Sequence, residues 1–308
     1  MAAAPARVVR ALLADGAIVR MRELDAADAP LVERLYRALP AYDRYLRFFS
    51  AGVVPRADDL ARRTAPGYAA VGAFRGDRLV GVAEYAAVDE PGTAEVGLVV
   101  DHPEQSHGVG TLLLEYLGST ARRRGVRRFV AEVLGENVAM RRVFSDLGLP
   151  YQLRVVDGSV HVDVDLEPGE RYLAALAERE QRADRASLAA VFTPGSLAVV
   201  GAGRKPDSVG HAVLANLVAS GYTGRLYAVN PHATRVCGID CVASVADLPE
   251  AVDLAVVCVP ARAVPDVAGE CGRRGVRALV VISSGLSADP SSAVRLMEAV
   301  RRYDMRMV

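Results

Sequence analysis

The stretch that most constrains this chain is residues 105–111, Q-S-H-G-V-G-T. An apolar strand pattern, 96–100, precedes it, and a helix-forming run, 112–124, follows. Gly108 and Gly110 take side chains out of a strand-to-helix turn. Main-chain N–H groups can then face outward at the positive end of the new helix, where they form a cradle for phosphate oxygens. Two glycines also make ordinary turns, so the order of the flanking segments carries the reading. A strand bearing Glu95 comes before the turn, a second strand, 128–134, comes after the helix, and Asn137 then opens another short helix.

A length of 308 residues suggests two domains of ordinary size, and a hydrophobic fraction of 51% is ample for two cores. Lys+Arg and Asp+Glu both number 37, so nothing in the charge points to nucleic acid or an anionic membrane. Arg7, Arg10 and Asp15 interrupt the apolar start before a secretory core can form, and no apolar run reaches the length of a membrane span. The expected location is the cytoplasm. Cys237, Cys241, Cys258 and Cys271 make no C-x-x-C pair, so reduced, partly buried thiols and no metal site are expected.

Residues 17–23 alternate as a first strand. Asp25 is placed to cap the helix that follows, with Asp28 in its first turn, and Pro40 ends that helix. A second helix follows in A-Y-D-R-Y-L-R-F-F-S, for which a packed aromatic face of Phe48 and Phe49 is expected. Residues 68–74 and 78–88 are strands joined by the hairpin signal R-G-D-R, and 93–100 is the next strand. Arg122, Arg123 and Arg124 crowd the end of the helix after the turn, where they complement its dipole. Residues 168–190 are mostly mixed charge and read as a solvated helical linker.

From residue 196 strands alternate with helices: 197–200, 226–229, 254–259 and 278–282 are short and apolar throughout, the pattern of a parallel sheet covered by helices. Its first turn holds Gly201 and Gly203, but Gly210 comes too late for the dinucleotide spacing, and the second strand ends in Asn230–Pro231 rather than an acidic residue. Both departures disfavour a nicotinamide-dependent dehydrogenase.

The first half, about 17–166, resembles the Gcn5-related N-acetyltransferase (GNAT) family, whose acetyl-CoA loop reads Q/R-x-x-G-x-G/A; Gln105, Gly108 and Gly110 fill the marked places. The second half resembles the CoA-binding domain of NDP-forming acyl-CoA synthetases, through G-A-G-R-K-P-D-S-V-G, Y-A-V-N-P, S-V-A-D-L-P and V-I-S-S-G-L. Together they resemble bacterial bidomain protein-lysine acetyltransferases. The implied fold class is α/β: a GNAT α+β domain with a mixed, mostly antiparallel sheet whose central strands splay, then a Rossmann-like parallel domain. The implied domains are an N-terminal extension at 1–16, the acetyltransferase at 17–167, the linker at 168–190 and the CoA-binding domain at 191–308, which stops where that family begins another strand.

The resemblance implies acetyl-CoA as co-substrate, seated by Leu98, Val100, Gln105, Ser106, His107, Gly108, Val109, Gly110, Thr111, Asn137, Met140 and Phe144, with CoA or acyl-CoA at Gly201, Gly203 and Ser283 of the second domain. Asn137 reads equally as a helix N-cap. Glu95 is the expected general base, because its strand leads to the turn and desolvation there can raise its pKa; Glu132 is second and Glu84 third. Related enzymes carry a general-acid Tyr where this chain has Phe144. The implied reaction is direct acetyl transfer to a protein lysine, for example of an acyl-CoA synthetase. A small-molecule amine acceptor and a non-catalytic acyl-CoA sensor stay open as alternatives, as does the oligomeric state.

Overall fold

The computed structural model describes residues 8–50, 52, 55–56, 66–156 and 158–308, so residues 1–7 of the expected N-terminal extension lie outside it. The chain divides into two compact units, Met1–Ala183 and Asp184–Val308.

The first unit is built on an 8-stranded sheet in the order β1-β2-β3-β4-β5-β6-β8-β7. Its strands are β1 (Val9–Leu12), β2 (Ile18–Glu23), β3 (Tyr68–Arg75), β4 (Arg78–Ala87), β5 (Thr93–Val100), β6 (Arg128–Leu134), β7 (Tyr151–Val156) and β8 (Ser159–Asp165). Residues 9–12, assigned from sequence to the extension, are thus the edge strand of this sheet, paired antiparallel with β2 from Val9↔Met21 to Leu12↔Ile18. Every neighbour pair in the sheet is antiparallel except β5 and β6.

The parallel pair is short. Registered partners run only from Thr93↔Arg128 to Glu95↔Val130. Beyond that point β5 stays with β4 as far as Gly81↔Val100, and β6 stays with β8 as far as Leu134↔Ser159. Each strand follows its antiparallel partner, and the two part.

Helices cover both faces. On one, α3 (Val109–Arg123) and α4 (Val138–Leu147) join the sheet in a core that includes Val96, Leu113, Leu117, Phe129, Val133 and Phe144. On the other, α1 (Ala29–Ala38) buries Val32, Leu35 and Tyr36 against Val82 and Val99. The short helix α2 (Ala41–Phe48) adds Phe48, whose ring meets Tyr36 edge-on at 5.2 Å. Phe49 departs from the expected packed face: it is the left-handed C-cap of α2 (φ 55°) and stays exposed. Asp25 caps the 3₁₀ turn Ala26–Asp28 that precedes α1, in a capping box with Asp28.

Helix α5 (Glu170–Phe192) is not solvated all round. Tyr172, Ala183, Ser187 and Ala190 are buried at helical spacing, with Tyr172 in the first unit's core and Ala190 in a core of the second. A stripe made mainly of Ala and Ser lacks the bulky periodic residues that reveal a buried face in sequence.

The second unit holds a 7-stranded sheet in the order β11-β12-β10-β9-β13-β14-β15. β9 (Ser196–Val200), β10 (Arg225–Val229), β13 (Leu254–Val257) and β14 (Ala278–Val281) form its parallel centre. β15 (Arg306–Met307) joins β14 in parallel, and the hairpin β11 (Arg235–Val236) and β12 (Ile239–Val242) closes the other edge. Its helices are α6 (Val209–Ala219), α7 (Val264–Arg274) and α8 (Pro290–Arg302).

One ion pair sets the entry into α1. Arg22 on β2 grips Asp28 with two hydrogen bonds, 2.6 and 2.7 Å, and Asp28 is buried. The guanidinium holds the Asp28 carboxyl below its ordinary pKa. The charged form therefore stabilises the fold above the unfolded-state pKa of about 3.9, and that contribution is lost as pH falls through the depressed folded value. Asp28→Asn should cost about 2 kcal/mol at pH 7 by urea unfolding, with the difference from wild type vanishing in acid. A pH-independent difference would contradict this role.

Candidate functional site

The turn between β5 and α3 is pinned from below. Glu104, only 4% exposed, accepts from Arg75 at 2.8 Å and Arg78 at 2.5 Å, and Arg78 also reaches Asp101 at 2.7 Å. Both arginines flank the β3–β4 hairpin, so the R-G-D-R turn that sequence reads as a simple hairpin also clamps the next turn. Gln105 donates to the Val100 carbonyl at 3.2 Å and to Asp43 of α2 at 2.9 Å, and the carbonyl of His107 accepts from Ala14 N–H.

The two glycines have different reasons to be there. Gly108 is the helix N-cap at φ 91°, and a Cβ there would meet nothing within 4 Å, so the surface above it is open. Gly110 is buried, and a Cβ would lie 3.1 Å from Leu98 and 3.3 Å from Val143. Gly108 thus serves backbone conformation on an open surface, and Gly110 serves close packing. Ser106 also takes a positive φ, 65°. Val109 and Thr111 bury their side chains, so the turn offers a ligand mainly the main-chain N–H groups of the first turn of a 15-residue helix. Those groups have no intrahelical acceptor and sit at the positive end of the helix dipole. A diphosphate fits such a cradle.

Next to it lies the gap where β5 and β6 part. Glu95 is the last residue of β5 registered with β6, and it is exposed. Glu132 is exposed further along β6, opposite His161 of β8. Glu95 and Glu132 share one face of the sheet, since Glu95 registers with Val130 and Glu132 lies two residues on. Leu98 and Val100 are half-buried, packed on the other side against the α3 core.

Glu84 is committed elsewhere. It registers with Gly97, is buried, and takes hydrogen bonds from Arg47 at 2.7 Å and from the Tyr68 hydroxyl at 2.6 Å. The Arg47 guanidinium lies over Gly97, where a Cβ would sit 2.2 Å from Nη2. Helix α2 is therefore strapped to the site twice on one face: by Arg47 to β4 and β5, and by Asp43 to Gln105 and His102. Sequence reasoning missed this strap, whose only local trace is the i, i+4 spacing of Asp43 and Arg47 on a short amphipathic helix.

Asn137 caps α4, its Oδ1 accepting from the Met140 N–H at 3.0 Å; both residues are half-buried. Phe144, expected on the cofactor wall, is instead 2% exposed in the core, because α4 turns that position inward beside Leu147. Arg122, Arg123 and Arg124 are held by the Leu166 carbonyl, by Ser119 and Thr120, and by Glu23, at the far end of α3 from the turn.

In the second unit the sheet order changes direction between β9 and β13, the place where open α/β sheets form a crevice at their carboxyl ends. Gly201, Gly203 and Ser283 all fall at that end. Gly201 has φ 89°, and a Cβ would lie 2.8 Å from the Cys258 carbonyl oxygen. Gly210 packs so closely that a Cβ would lie 2.1 Å from the Gly201 oxygen. It therefore supplies the close helix–turn approach despite its late spacing. Asn230 donates to the Ala202 carbonyl at 2.6 Å, and Ser283 to the Val259 carbonyl at 2.8 Å, tying the loops together. Ser208 caps α6. Burial pushes the Cys258 thiol up to about 11 and Cys271 to about 12, so neither is a thiolate at neutral pH. Among the described residues no group of three or more His, Cys, Asp or Glu side chains is placed to hold a metal ion, and no helix is long and apolar enough to cross a membrane.

Comparison with known proteins finds a family for each half of the chain. Residues 32–149 match the acetyltransferase (GNAT) family model, and residues 195–308 match the CoA binding domain model. The acetate–CoA ligase [ADP-forming] II of Archaeoglobus fulgidus is 31% identical over 227 residues, 65% of this chain and 34% of that protein. Acetyltransferase Pat of Mycolicibacterium smegmatis is 39% identical over 75 residues, 24% of this chain and 22% of that protein. The crystal structure of the GNAT domain of S. lividans PAT is 30% identical and covers 51% of this chain and 96% of that one, with a TM-score of 0.47. The chain spans about a third or less of the length of the curated relatives it matches.

The strap on α2 is open to a double-mutant cycle. Arg47→Met takes the charged partner from the buried Glu84 carboxylate and should cost about 3 kcal/mol in urea unfolding, while Arg47→Met with Glu84→Gln should recover more than half of that. Additive losses would show that the two side chains do not act as a pair.

Proposed function

We propose, for a chain that belongs to the GNAT acetyltransferases through its first unit and carries a CoA-binding domain in its second, that it transfers an acetyl group from acetyl-CoA directly to a lysine of a protein. The acceptor we propose is an acyl-CoA synthetase. The observation that carries the reading is the parting of β5 and β6 immediately beside the open, positive-φ N-cap at Gly108. An acyl-CoA needs both features: a cradle of main-chain donors for its diphosphate, and an unpaired strand edge along which the pantetheine amides can bind as an added strand.

In this reading Gln105 to Thr111 hold the diphosphate, with Gln105 fixing the turn to the end of β5 rather than contacting ligand. Leu98, Val100 and Met140 flank the pantetheine arm, and Asn137 fixes the start of α4. Main-chain N–H groups of β5 in the gap polarise the thioester carbonyl as negative charge develops on its oxygen. Transfer forms the new amide C–N bond and breaks the C–S bond, with the CoA thiolate leaving.

The attacking amine must first lose a proton, because lysine, with a pKa near 10.4, is almost wholly charged at neutral pH. Glu95 stands at the mouth of the gap, and its exposure suits it to accept that proton through solvent rather than as a desolvated base. Glu84 is unsuited to this step, since Arg47 and Tyr68 already occupy its oxygens. Glu132 is the second candidate base, on the same face. Phe144, buried and without a proton to give, leaves protonation of the thiolate to solvent. The second domain would hold CoA or acyl-CoA at Gly201, Gly203 and Ser283.

The reading is tested by mass spectrometry of an acyl-CoA synthetase after incubation with the full chain and acetyl-CoA. Lysine acetylation is expected, slowed about 100-fold or more by Glu95→Gln with acetyl-CoA binding unchanged. Acetylation at the wild-type rate in Glu95→Gln would remove Glu95 as the base. If the synthetase stays unmodified while small amines are acetylated, the acceptor is not a protein lysine.

A further inference from the structure

Strand β7 is the last in its sheet, and all six of its residues, Tyr-Gln-Leu-Arg-Val-Val, are exposed. An edge strand of this kind is a template for pairing, and folded proteins blunt such strands with charge, bulges or proline. Here Arg154 is the only charged residue, and four of the six are large and apolar.

The pattern is not random. Tyr151, Leu153 and Val155 register with Val164, Val162 and Val160 of β8, all buried in the first unit's core. Cross-strand partners share a face. The apolar row of the core therefore runs on across β7 and ends in the open, with Leu153 45% and Val155 78% exposed. The main chain agrees: the Pro150 carbonyl accepts from the Asp165 N–H, so even-numbered residues turn their polar groups toward β8. In an antiparallel ladder the alternate residues, Tyr151, Leu153 and Val155, then turn their N–H and C=O outward. The same three residues carry both the uncovered apolar face and the unpaired backbone.

We propose that β7 pairs antiparallel with β7 of a second copy of this chain, about a two-fold axis at Leu153. In that register Leu153 faces its own counterpart, and each Tyr151 faces the other copy's Val155. All three outward-facing residues exchange main-chain hydrogen bonds, and the apolar row becomes continuous across both sheets. Charge selects this register over its neighbours. A pairing centred on Arg154 sets two guanidinium groups directly opposite each other, which is destabilising. One centred on Gln152 carries Val155, the most exposed of the row, past the end of the partner strand. Centred on Leu153, Arg154 faces Gln152 and keeps Asp163 of its own copy nearby at 3.7 Å. Six residues a side are few beside the roughly 20–30 of a standard stable interface, so the dimer depends on concentration.

The full chain is tested by sedimentation equilibrium from about 1 to 200 µM, a range spanning a micromolar association. A dimer that grows with concentration and is lost in Leu153→Asp, with unchanged circular dichroism, is expected. Single cysteines then read the register. In a hydrogen-bonded antiparallel pair the Cα atoms lie about 5.5 Å apart, within disulfide reach. Leu153→Cys should cross-link to itself under mild oxidation, seen as a 153–153 disulfide peptide, whereas Arg154→Cys should not. A chain monomeric throughout, a dimer indifferent to Leu153→Asp, or self-linking at position 154 in preference to 153 overturns the proposal.

Discussion

β5 and β6, each paired antiparallel on its other side, keep only three registered pairs with each other before they part. That parting governs the first unit. β5 is held by β4 to Val100 and β6 by β8 to Leu134, while their own parallel ladder ends at Glu95↔Val130. Beyond it, main-chain donors and acceptors along the facing edges lack a strand partner, and unpaired backbone groups call for water or a ligand. The remaining features of the site keep this opening in shape. Glu104 with its two arginines fixes the turn at one end, and Arg47 laid over Gly97 fixes α2 at the side. Both are buried carboxylates gripped by arginine across long sequence distances, so their chief contribution is a defined geometry.

The second unit solves a related problem differently. Its strands do not part; the reversal of sheet order between β9 and β13 makes the crevice instead. There, Gly201 and Gly210 let backbone approach backbone, while Asn230 and Ser283 tie four loops together in two pairs. In both units a glycine turn precedes a helix N-terminus, bare at Gly108 in the first and capped by the Ser208 side chain in the second.

Much of this was legible in sequence because it is local. Alternation revealed β2; the R-G-D-R hairpin signal revealed β3 and β4; unbroken apolar runs revealed the parallel strands; and the two glycines marked the turn. What sequence could not separate were two uses of one letter: Gly108 answers to backbone angle and Gly110 to the side chains of Leu98 and Val143. Burial misled in both directions. Glu95, flanked by Ala94 and Val96, reads as desolvated yet is exposed, since a strand at the mouth of a gap has an open face. Phe144 reads as a wall of the cofactor site yet belongs to the core. The strap from Asp43 and Arg47 joins residues about 40 to 60 positions apart in sequence, beyond any periodicity. The buried stripe of α5 hid because small side chains carry little hydropathy.

The central claim is that the parted edges of β5 and β6, with the Gly108 N-cap, form the seat of an acyl-CoA. A crystal structure of the full chain soaked with acetyl-CoA tests it most directly. The diphosphate should lie against the amides of residues 108–111, and the pantetheine arm between residues 96–100 and 131–134. Acetyl-CoA bound only in the second unit, with the gap filled by water alone, would contradict it.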